Sequence, residues 1–205
     1  MTDGRLEPAV AAIRAGGVVA IPTDTVYGLA CNPADPAAVE RVYLLKRRPA
    51  GLELTLLAAA VDDLGDAVRF DAVARRLAAA FWPGALSLVL PVGDRRFAIP
   101  RVGATLSMRV PDHPLLLELL AMTGPLATTS ANRHGEPAAT MAAALDAGLR
   151  GALAAVLDGG PAGGRASTII DCTCTPPRVL RHGPISEQEL LAVALAPTSP
   201  SSGSR

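Results

Sequence analysis

The sequence predicts an α/β fold in which helices flank a twisted, mixed β-sheet. Helical and strand-like segments alternate along the chain, as they do where helices connect the strands of one sheet. Some short apolar segments follow one another without an intervening helix, which is typical of antiparallel, hairpin-like neighbours. Half of the residues are hydrophobic but only 3% are aromatic, so Ala, Leu and Val are expected to fill the core.

The first helix and strand have clear ends. The segment "LEPAVAAIRAGG" predicts a helix over 6–15 that ends at Gly16 and Gly17. The β-branched run "VVAIP" predicts a buried strand that stops at Pro22.

The second helix carries both a start and a stop signal. Asp35 stands at the N-cap, Pro36 at the first helical position and Pro49 just beyond the last turn. The segment "LELTLLAA" then predicts a strand.

The remaining elements continue the alternation up to a single C-terminal helix. Strands are expected at "ALSLVLP", "ATLSMRVP", "PLATTSAN", "LAAVLDGG", "ASTIIDC" and "PRVLRHG". Helices are expected at "FDAVARRLAAAFWPG", at 113–121, at "PAATMAAALDAG" (closed by Gly148) and at "SEQELLAVAL", where Ser186 and Glu189 form a capping box. We expect one domain over 1–195 and a disordered tail over 196–205.

Composition argues against several functional classes. The formal net charge is zero, which argues against a surface built as a whole for nucleic acid or anionic membrane, although a local cationic cleft stays possible. We expect a cytoplasmic protein without a membrane span, since the N-terminus has no signal-peptide pattern and no apolar run is long enough. Three cysteines without framework spacing also fit a reducing compartment.

Polar residues collect at the ends of predicted strands. "IPTDTVYGLA" presents Thr23, Asp24, Thr25 and Tyr27 after a strand, in the position of a ligand crevice or of an ordinary turn. "ATTSANRHGEP" presents hydroxyls that suit phosphate or ribose, or that bond locally within a turn.

Cations form a second group of candidates. "KRRP" contains Lys46, the only lysine, and Arg48; it forms either an anion cradle or a solvated helix end. Thr105, Ser107 and Arg109 fall on one strand face, as an oxyanion receptor or as an exposed sheet face with one charge.

Other chemistries fit poorly. The spacing of the cysteines and histidines does not match a zinc site, so we expect the cysteines to be buried in the core. The sequence also contains no G-x-S-x-G elbow and no P-loop. Hydroxyls and cations without a covalent nucleophile suit positioning and charge stabilisation at a phosphoryl centre.

Seven stretches in order resemble the Sua5/YciO/YrdC family, up to about residue 185. They are "IPTDTVYGL", "KRRP", "WPGALSLVLP", "TLSMRVPDHP", "TSANRHGEP", "STIID" and "VLRHG". The resemblance, closest to the short YrdC-type form, implies a YrdC-like twisted sheet with a large concave cationic cleft. It also implies L-threonylcarbamoyladenylate synthase activity, in which ATP, L-threonine and bicarbonate give the adenylate used for N6-threonylcarbamoyladenosine at position 37 of tRNA, and pyrophosphate.

The resemblance also implies roles for individual residues. L-threonine would be held by Thr25, Arg109, Thr128 and Ser167. The nucleotide side would be formed by Lys46, Arg48, Thr105, Ser130, Asn132 and Arg181. Lys46 and Arg48 would act in catalysis, and Mg²⁺ would arrive with ATP as the cofactor. The implied partners are a downstream tRNA-modifying transferase complex and tRNA or double-stranded RNA.

The chain departs from the family pattern after "KRRP". Leu52, Glu53 and Leu57 stand where the family typically has Asn, Pro and His, and His134 and Ala138 stand where serine is usual. Each lost hydrogen bond to a charged ligand costs about 1.5–3 kcal/mol. Two alternatives therefore stay open: a YciO-like paralogue without the synthase activity, and an RNA-binding module.

Overall fold

The computed structural model describes residues 4–47, 49, 52–93, 97–99 and 103–196. Its helices are α1 Leu6–Arg14, α2 Pro36–Lys46, α3 Ala72–Phe81, α4 Pro114–Thr123, α5 Ala147–Gly151 and α6 Glu187–Ala194. Its strands are β1 Val19–Ile21, β2 Gly28–Cys31, β3 Thr55–Leu57, β4 Leu86–Pro91, β5 Thr105–Arg109, β6 Leu126–Ser130, β7 Ala155–Val156, β8 Thr168–Asp171 and β9 Arg178–Arg181.

Within these residues the strands form one mixed sheet in the order β7-β1-β2-β6-β3-β5-β4-β8-β9. The pairs β1·β7, β3·β5 and β4·β8 are parallel, and the other neighbouring pairs are antiparallel. The predicted α/β fold with a mixed sheet flanked by helices is confirmed.

The predicted helix caps are present. The side chain of Asp35 accepts hydrogen bonds from the backbone N–H groups of Ala37 and Ala38, and Arg47 ends α2 in the left-handed conformation at φ 50°. Ser186 and Glu189 form the expected capping box at the start of α6. These caps satisfy N–H groups that a helix leaves without intrahelical partners.

The two faces of the sheet are covered differently. Helices α2, α3 and α6 pack on one face, where strand residues such as Leu56 and Leu88 form the larger core. Helices α1 and α4 pack on the other face, against residues that include Val19, Leu57 and Leu126. Side chains alternate along a strand, so residues two positions away from these core residues point to the same face. The part of this face beyond the core residues forms the floor of the cavity described below.

The helix predicted at "PAATMAAALDAG" is wrong. The structure has a 3₁₀ turn at Ala142–Ala144 and the short α5, which Asp146 caps by accepting from the N–H of Leu149. The backbone between 137 and 141 bonds to other parts of the chain instead: Ala139 accepts from Tyr27 N–H, and Thr140 accepts from Ala162 N–H. These tertiary hydrogen bonds override the helical propensity of an alanine-rich run.

Strand β2 is absent from the sequence-based prediction. Its four residues, Gly28–Cys31, are small or apolar and follow a turn directly. They pair antiparallel with both β1 and β6.

The predicted tail lies almost wholly outside the described residues, of which Ala196 is the last, so the 1–195 domain boundary stays a prediction. No helix among the described residues is long and apolar enough to cross a membrane.

Candidate active site

A cavity of about 320 Å³ opens on the uncovered part of the sheet. Its floor comes from strands β3 to β6 and β8, and its wall from the segment after β1. The cavity brings together most of the residues that the sequence singled out: Thr25, Arg109, Thr128, Ser130, Asn132, Ser167 and Arg181 all line it.

Arg109 is held rigidly at the end of β5. Its guanidinium, 5% exposed, donates from Nε to the Gly84 carbonyl at 2.8 Å, from Nη1 to Thr25 Oγ1 at 2.9 Å and from Nη2 to Asp24 Oδ1 at 2.5 Å. Burial lowers the pKa of Arg109, and the Asp24 carboxylate acts in the opposite direction. Since a guanidinium has five N–H donors, two have no partner among the described residues, which suits a carboxylate ligand.

The turn after β1 supplies the groups that orient Arg109. Thr23 Oγ1 accepts from the N–H groups of Thr25 and Val26 at 3.0 and 3.2 Å, and donates to the Val26 carbonyl at 2.7 Å. These local bonds fold "TDTV" so that Asp24 and Thr25 both reach Arg109. The turn and the ligand-site interpretations of this motif are therefore compatible: the turn builds one wall of the cavity.

A second arginine reaches the cavity from β9. Arg181 of β9 donates from Nε to the Ser167 carbonyl at 2.9 Å and from Nη2 to Ser167 Oγ at 3.0 Å. Ser167 Oγ also lies 2.9 Å from Ser87 Oγ. Burial lowers the pKa of Arg181. Arg181, Ser167 and Ser87 thus form one hydrogen-bonded group at the cavity.

Lys46 is buried, with 1% exposure, below the turn that follows β6. Its ammonium donates to the Ser130 carbonyl at 2.7 Å, the Asn132 carbonyl at 2.9 Å and Asn132 Oδ1 at 2.8 Å. The Lys46 carbonyl in turn accepts from His134 N–H at 2.9 Å. In the structure this ammonium holds the "SAN" turn in place, whereas the sequence suggested a mobile charge.

Of the predicted residues that the structure describes, Lys46 and Thr105 are not among those that line the cavity. Thr105 lies at the start of β5 in register with Pro91, and Arg48 lies outside the described residues. Their nucleotide-side roles stay predictions, as does the catalytic role of Lys46.

The segment that departs from the family pattern contributes directly to the floor. Leu57 is buried and lies in register with Arg109 on one side and Leu126 on the other. Glu53 lines the cavity and accepts from Ser107 N–H at 2.9 Å. Leu52 is 38% exposed and is not a lining residue. Of the leucines that replace polar family residues, Leu57 is therefore the one that changes the cavity surface.

The cationic character of the cleft stays a prediction. Among the described lining residues, the guanidiniums of Arg109 and Arg181 are accompanied by the carboxylates of Glu53 and Glu136.

Sequence reasoning missed two lining residues on the strands, Thr55 and Ser87. Each interrupts an otherwise apolar strand, and a lone hydroxyl there is a usable signal of a polar sheet face. Thr23 and Tyr27, which belong to the candidate motif after the first strand, line the cavity as that motif suggested. The Tyr27 hydroxyl donates to the Gly160 carbonyl at 2.8 Å, and burial raises its pKa.

The cysteines lie apart from the cavity lining. Cys31 and Cys172 are buried, as expected, and burial raises the pKa of each thiol to about 12, with nearby carboxylates adding to the effect. Cys174 is exposed, contrary to expectation. It follows β8 on a turn, where no core surrounds it.

Comparison with known proteins places this cavity in context. The family model Sua5/YciO/YrdC, described as "Telomere recombination", matches residues 11–183. A Bacillus subtilis protein named threonylcarbamoyl-AMP synthase is 40% identical over 197 residues, covering 93% of this chain and 57% of its own length. The chain thus spans little more than half of that relative.

Two solved structures share the fold over most of the chain. The crystal structure of P. abyssi Sua5 complexed with L-threonine superposes with a TM-score of 0.84 at 36% identity, covering 92% of this chain and 56% of Sua5. E. coli YciO superposes with a TM-score of 0.79 at 29% identity, covering 91% of this chain and 92% of YciO. By the extent of the family match and the identity to its relatives, the chain belongs to the Sua5/YciO/YrdC family.

Proposed function

We propose that the protein is a transferase, and specifically an L-threonylcarbamoyladenylate synthase that uses ATP, L-threonine and bicarbonate and releases pyrophosphate. The name of the B. subtilis relative and the threonine complex of Sua5 support this proposal. The product would serve N6-threonylcarbamoyladenosine formation on tRNA in the cytoplasm, through a separate transferase complex.

The layout of the cavity floor carries the proposal. Leu57 is in register with both Leu126 and Arg109, and Ser130 lies four residues beyond Leu126 on β6. At about 3.3 Å per residue, Arg109 and Ser130 stand roughly 13 Å apart along the strands. A carboxylate receptor at one end and a hydroxyl-lined turn at the other suit an amino acid and a nucleotide bound end to end.

The reaction needs positioning rather than a protein nucleophile. The threonine amine takes up CO₂ and loses a proton to give a carbamate. A carbamate oxygen attacks the α-phosphorus of ATP, and the bond to the leaving pyrophosphate breaks. In this scheme Arg109, Thr25, Thr128 and Ser167 orient the amino acid, so that the carbamate faces the phosphate.

The nucleotide would extend from the "SAN" end of the floor toward β9. Ser130 and Asn132 would bind it at that end and Arg181 would bind it from β9. Lys46 and Arg48 would stabilise the charge that develops during transfer, with Thr105 at the edge of the "SAN" end. The enzyme would then be a nucleotidyltransferase.

A magnesium ion would come with ATP, bound chiefly by phosphate oxygens. Among the described residues no group of three or more His, Cys, Asp or Glu side chains could hold a metal ion. Mg²⁺ with a nucleotide is usually held by one or two carboxylates besides the phosphates, and Glu53 and Glu136 are the carboxylates among the described lining residues that would hold it. Such an ion would neutralise part of the phosphate charge.

The test is a reconstituted assay with purified protein. Pyrophosphate release and the adenylate product are measured with ATP and Mg²⁺, with L-threonine and bicarbonate each omitted in turn. We expect product formation that depends on both. Pyrophosphate release that is unchanged without threonine would contradict the proposal.

A second candidate is a family member of YciO type that lacks this activity. It is favoured by Leu57, which lines the cavity where the family typically has histidine. If the protein forms no adenylate but binds RNA tightly and in a salt-sensitive manner, its role would instead be RNA binding.

A further inference from the structure

Ser87 is the most deeply buried hydroxyl on the cavity floor. It lies on β4 among leucines, is 1% exposed and lines the cavity. Its only hydrogen-bond partner in the described part of the chain is Ser167 Oγ, at 2.9 Å. Either hydroxyl is able to donate in this pair, so the direction of the bond depends on what else each oxygen binds.

The surroundings of Ser167 decide that direction once an anion binds. Ser167 Oγ accepts from Arg181 Nη2 at 3.0 Å. A serine hydroxyl has one hydrogen to donate and two lone pairs to accept with. A carboxylate only accepts, so Ser167 must donate its single hydrogen to such a ligand. The bond between the two serines then requires Ser87 as the donor.

We propose that Ser87 is a positioning residue that, together with Arg181, directs the Ser167 hydroxyl toward an anionic oxygen of the amino-acid substrate. This inference rests on the proposed function, because it takes the ligand at Ser167 to be L-threonine. The two donors saturate the lone pairs of Ser167, which leaves its hydrogen for the substrate. Donation by Ser87 and by a charged guanidinium also polarises that hydroxyl and strengthens the bond it donates.

The position of Ser87 fits this role. The ladder between β4 and β5 pairs Leu88 with Met108, so Ser87 lies beside Arg109 at the next position along the two strands. The hydroxyl pair and the guanidinium of Arg109 therefore approach the same end of the cavity.

The test compares two variants of nearly equal shape, Ser87→Thr and Ser87→Val. Both add the same bulk on β4, but only threonine keeps a hydroxyl that donates to Ser167. The dissociation constants of L-threonine and of ATP are measured by calorimetry on the full chain. Asp71→Ala, which removes the N-cap of α3 on the opposite face of the sheet, is the control for a general loss of stability.

We expect the threonine variant to bind L-threonine within about threefold of the wild type. The valine variant should bind it roughly five- to tenfold more weakly, as loss of one net hydrogen bond predicts, with ATP affinity unchanged. Equal L-threonine affinity for the two variants would overturn the inference. So would a parallel loss of ATP affinity, which would indicate a general structural role.

L-threonine binding by the wild type distinguishes a failure of this inference from a failure of the proposed function. If the wild-type chain does not bind L-threonine, the proposed function fails and the inference with it. If the wild type binds and the two variants agree, only the role of Ser87 is wrong. Should the valine variant not fold, Ser87→Ala replaces it, and its affinity is compared with that of Ser87→Thr in the same way.

Discussion

The ammonium nitrogen of Lys46 lies 2.8 Å from the side-chain oxygen of Asn132 and 2.9 Å from the backbone oxygen of the same residue. A third bond reaches the Ser130 carbonyl at 2.7 Å. An ammonium has three N–H donors, and these three oxygens are its shortest contacts, with Ser130 Oγ farther away at 3.4 Å. This geometry offers a physical reason for the single lysine in a chain with eighteen arginines, since a planar guanidinium would not fit the same three acceptors.

Lys46→Arg is expected to disturb the "SAN" turn as well as the chemistry. The larger planar group displaces Asn132 or leaves buried oxygens without donors, at a cost of about 1–3 kcal/mol in the free energy of unfolding. We expect adenylate formation to fall more than tenfold. Urea unfolding and the pyrophosphate assay measure the two effects. Normal stability combined with lost activity would instead indicate that Lys46 acts on the substrate alone.

Leu57→His tests whether the site has adapted to its leucine. Leu57 is buried beside Leu126 and in register with Arg109, so an imidazole there would bury a polar group next to a cation. We expect a loss of about 1–3 kcal/mol in unfolding free energy and no gain in activity. Leu52→Asn, at an exposed position away from the cavity lining, is the matched control. It should change the unfolding free energy and the activity only slightly. A large gain in activity from Leu57→His would show that the leucine is a loss of function.

Arg109→Lys is expected to weaken L-threonine binding more than ATP binding. A lysine cannot reproduce the three bonds that the guanidinium makes to Gly84, Thr25 and Asp24. The expected result is a KM for L-threonine raised at least tenfold with a smaller change in the KM for ATP. Arg178→Lys is the control, since its contact with Asp171 is 4.0 Å and its side chain is 73% exposed. Equal effects on both substrates would argue against a specific role at the amino-acid end.

The buried thiols predict a loss of stability at high pH. Burial raises the pKa of Cys31 and of Cys172 from about 9 to about 12 in the folded protein, so the unfolded chain loses these protons first. The stabilisation is complete below pH 9 and declines as the pH rises from 9 toward 12. The expected slope is about 1.4 kcal/mol per pH unit for each thiol.

Urea unfolding of the wild type and of Cys31→Ala between pH 8 and 10.5 measures this slope. The unfolding free energy of Cys31→Ala should fall less steeply with pH, by the contribution of one thiol. An unchanged slope would show that Cys31 does not titrate as described. Cys174→Ala, at an exposed position, is the control that should leave the slope as it is.

Local signals predicted much of the fold. Asp35 and the Ser186–Glu189 box mark helix starts through bonds within four residues, so the sequence is sufficient to find them. The alternation in "TLSMR" likewise placed Ser107 and Arg109 on one face.

Long-range bonds set the limit of that prediction. The run around Ala139 has helical propensity, but its backbone bonds to Tyr27, Ala131 and Ala162, which no local pattern reveals. The partners of Lys46 and Ser87 lie more than 75 residues away in the chain. Sequence motifs identified candidate groups, but which oxygen each one binds follows only from the order of the strands.

The floor of the cavity continues the same strand faces that, a few residues away, pack against α1 and α4. Thr55 and Leu57 differ by two positions, as do Thr128 and Leu126. An insertion or deletion of one residue in β3 or β6 would therefore exchange the hydroxyls of the floor for core leucines and alanines. Lineages carrying this fold are expected to change substrate by single replacements at floor positions, and to accommodate length variation in the connecting loops.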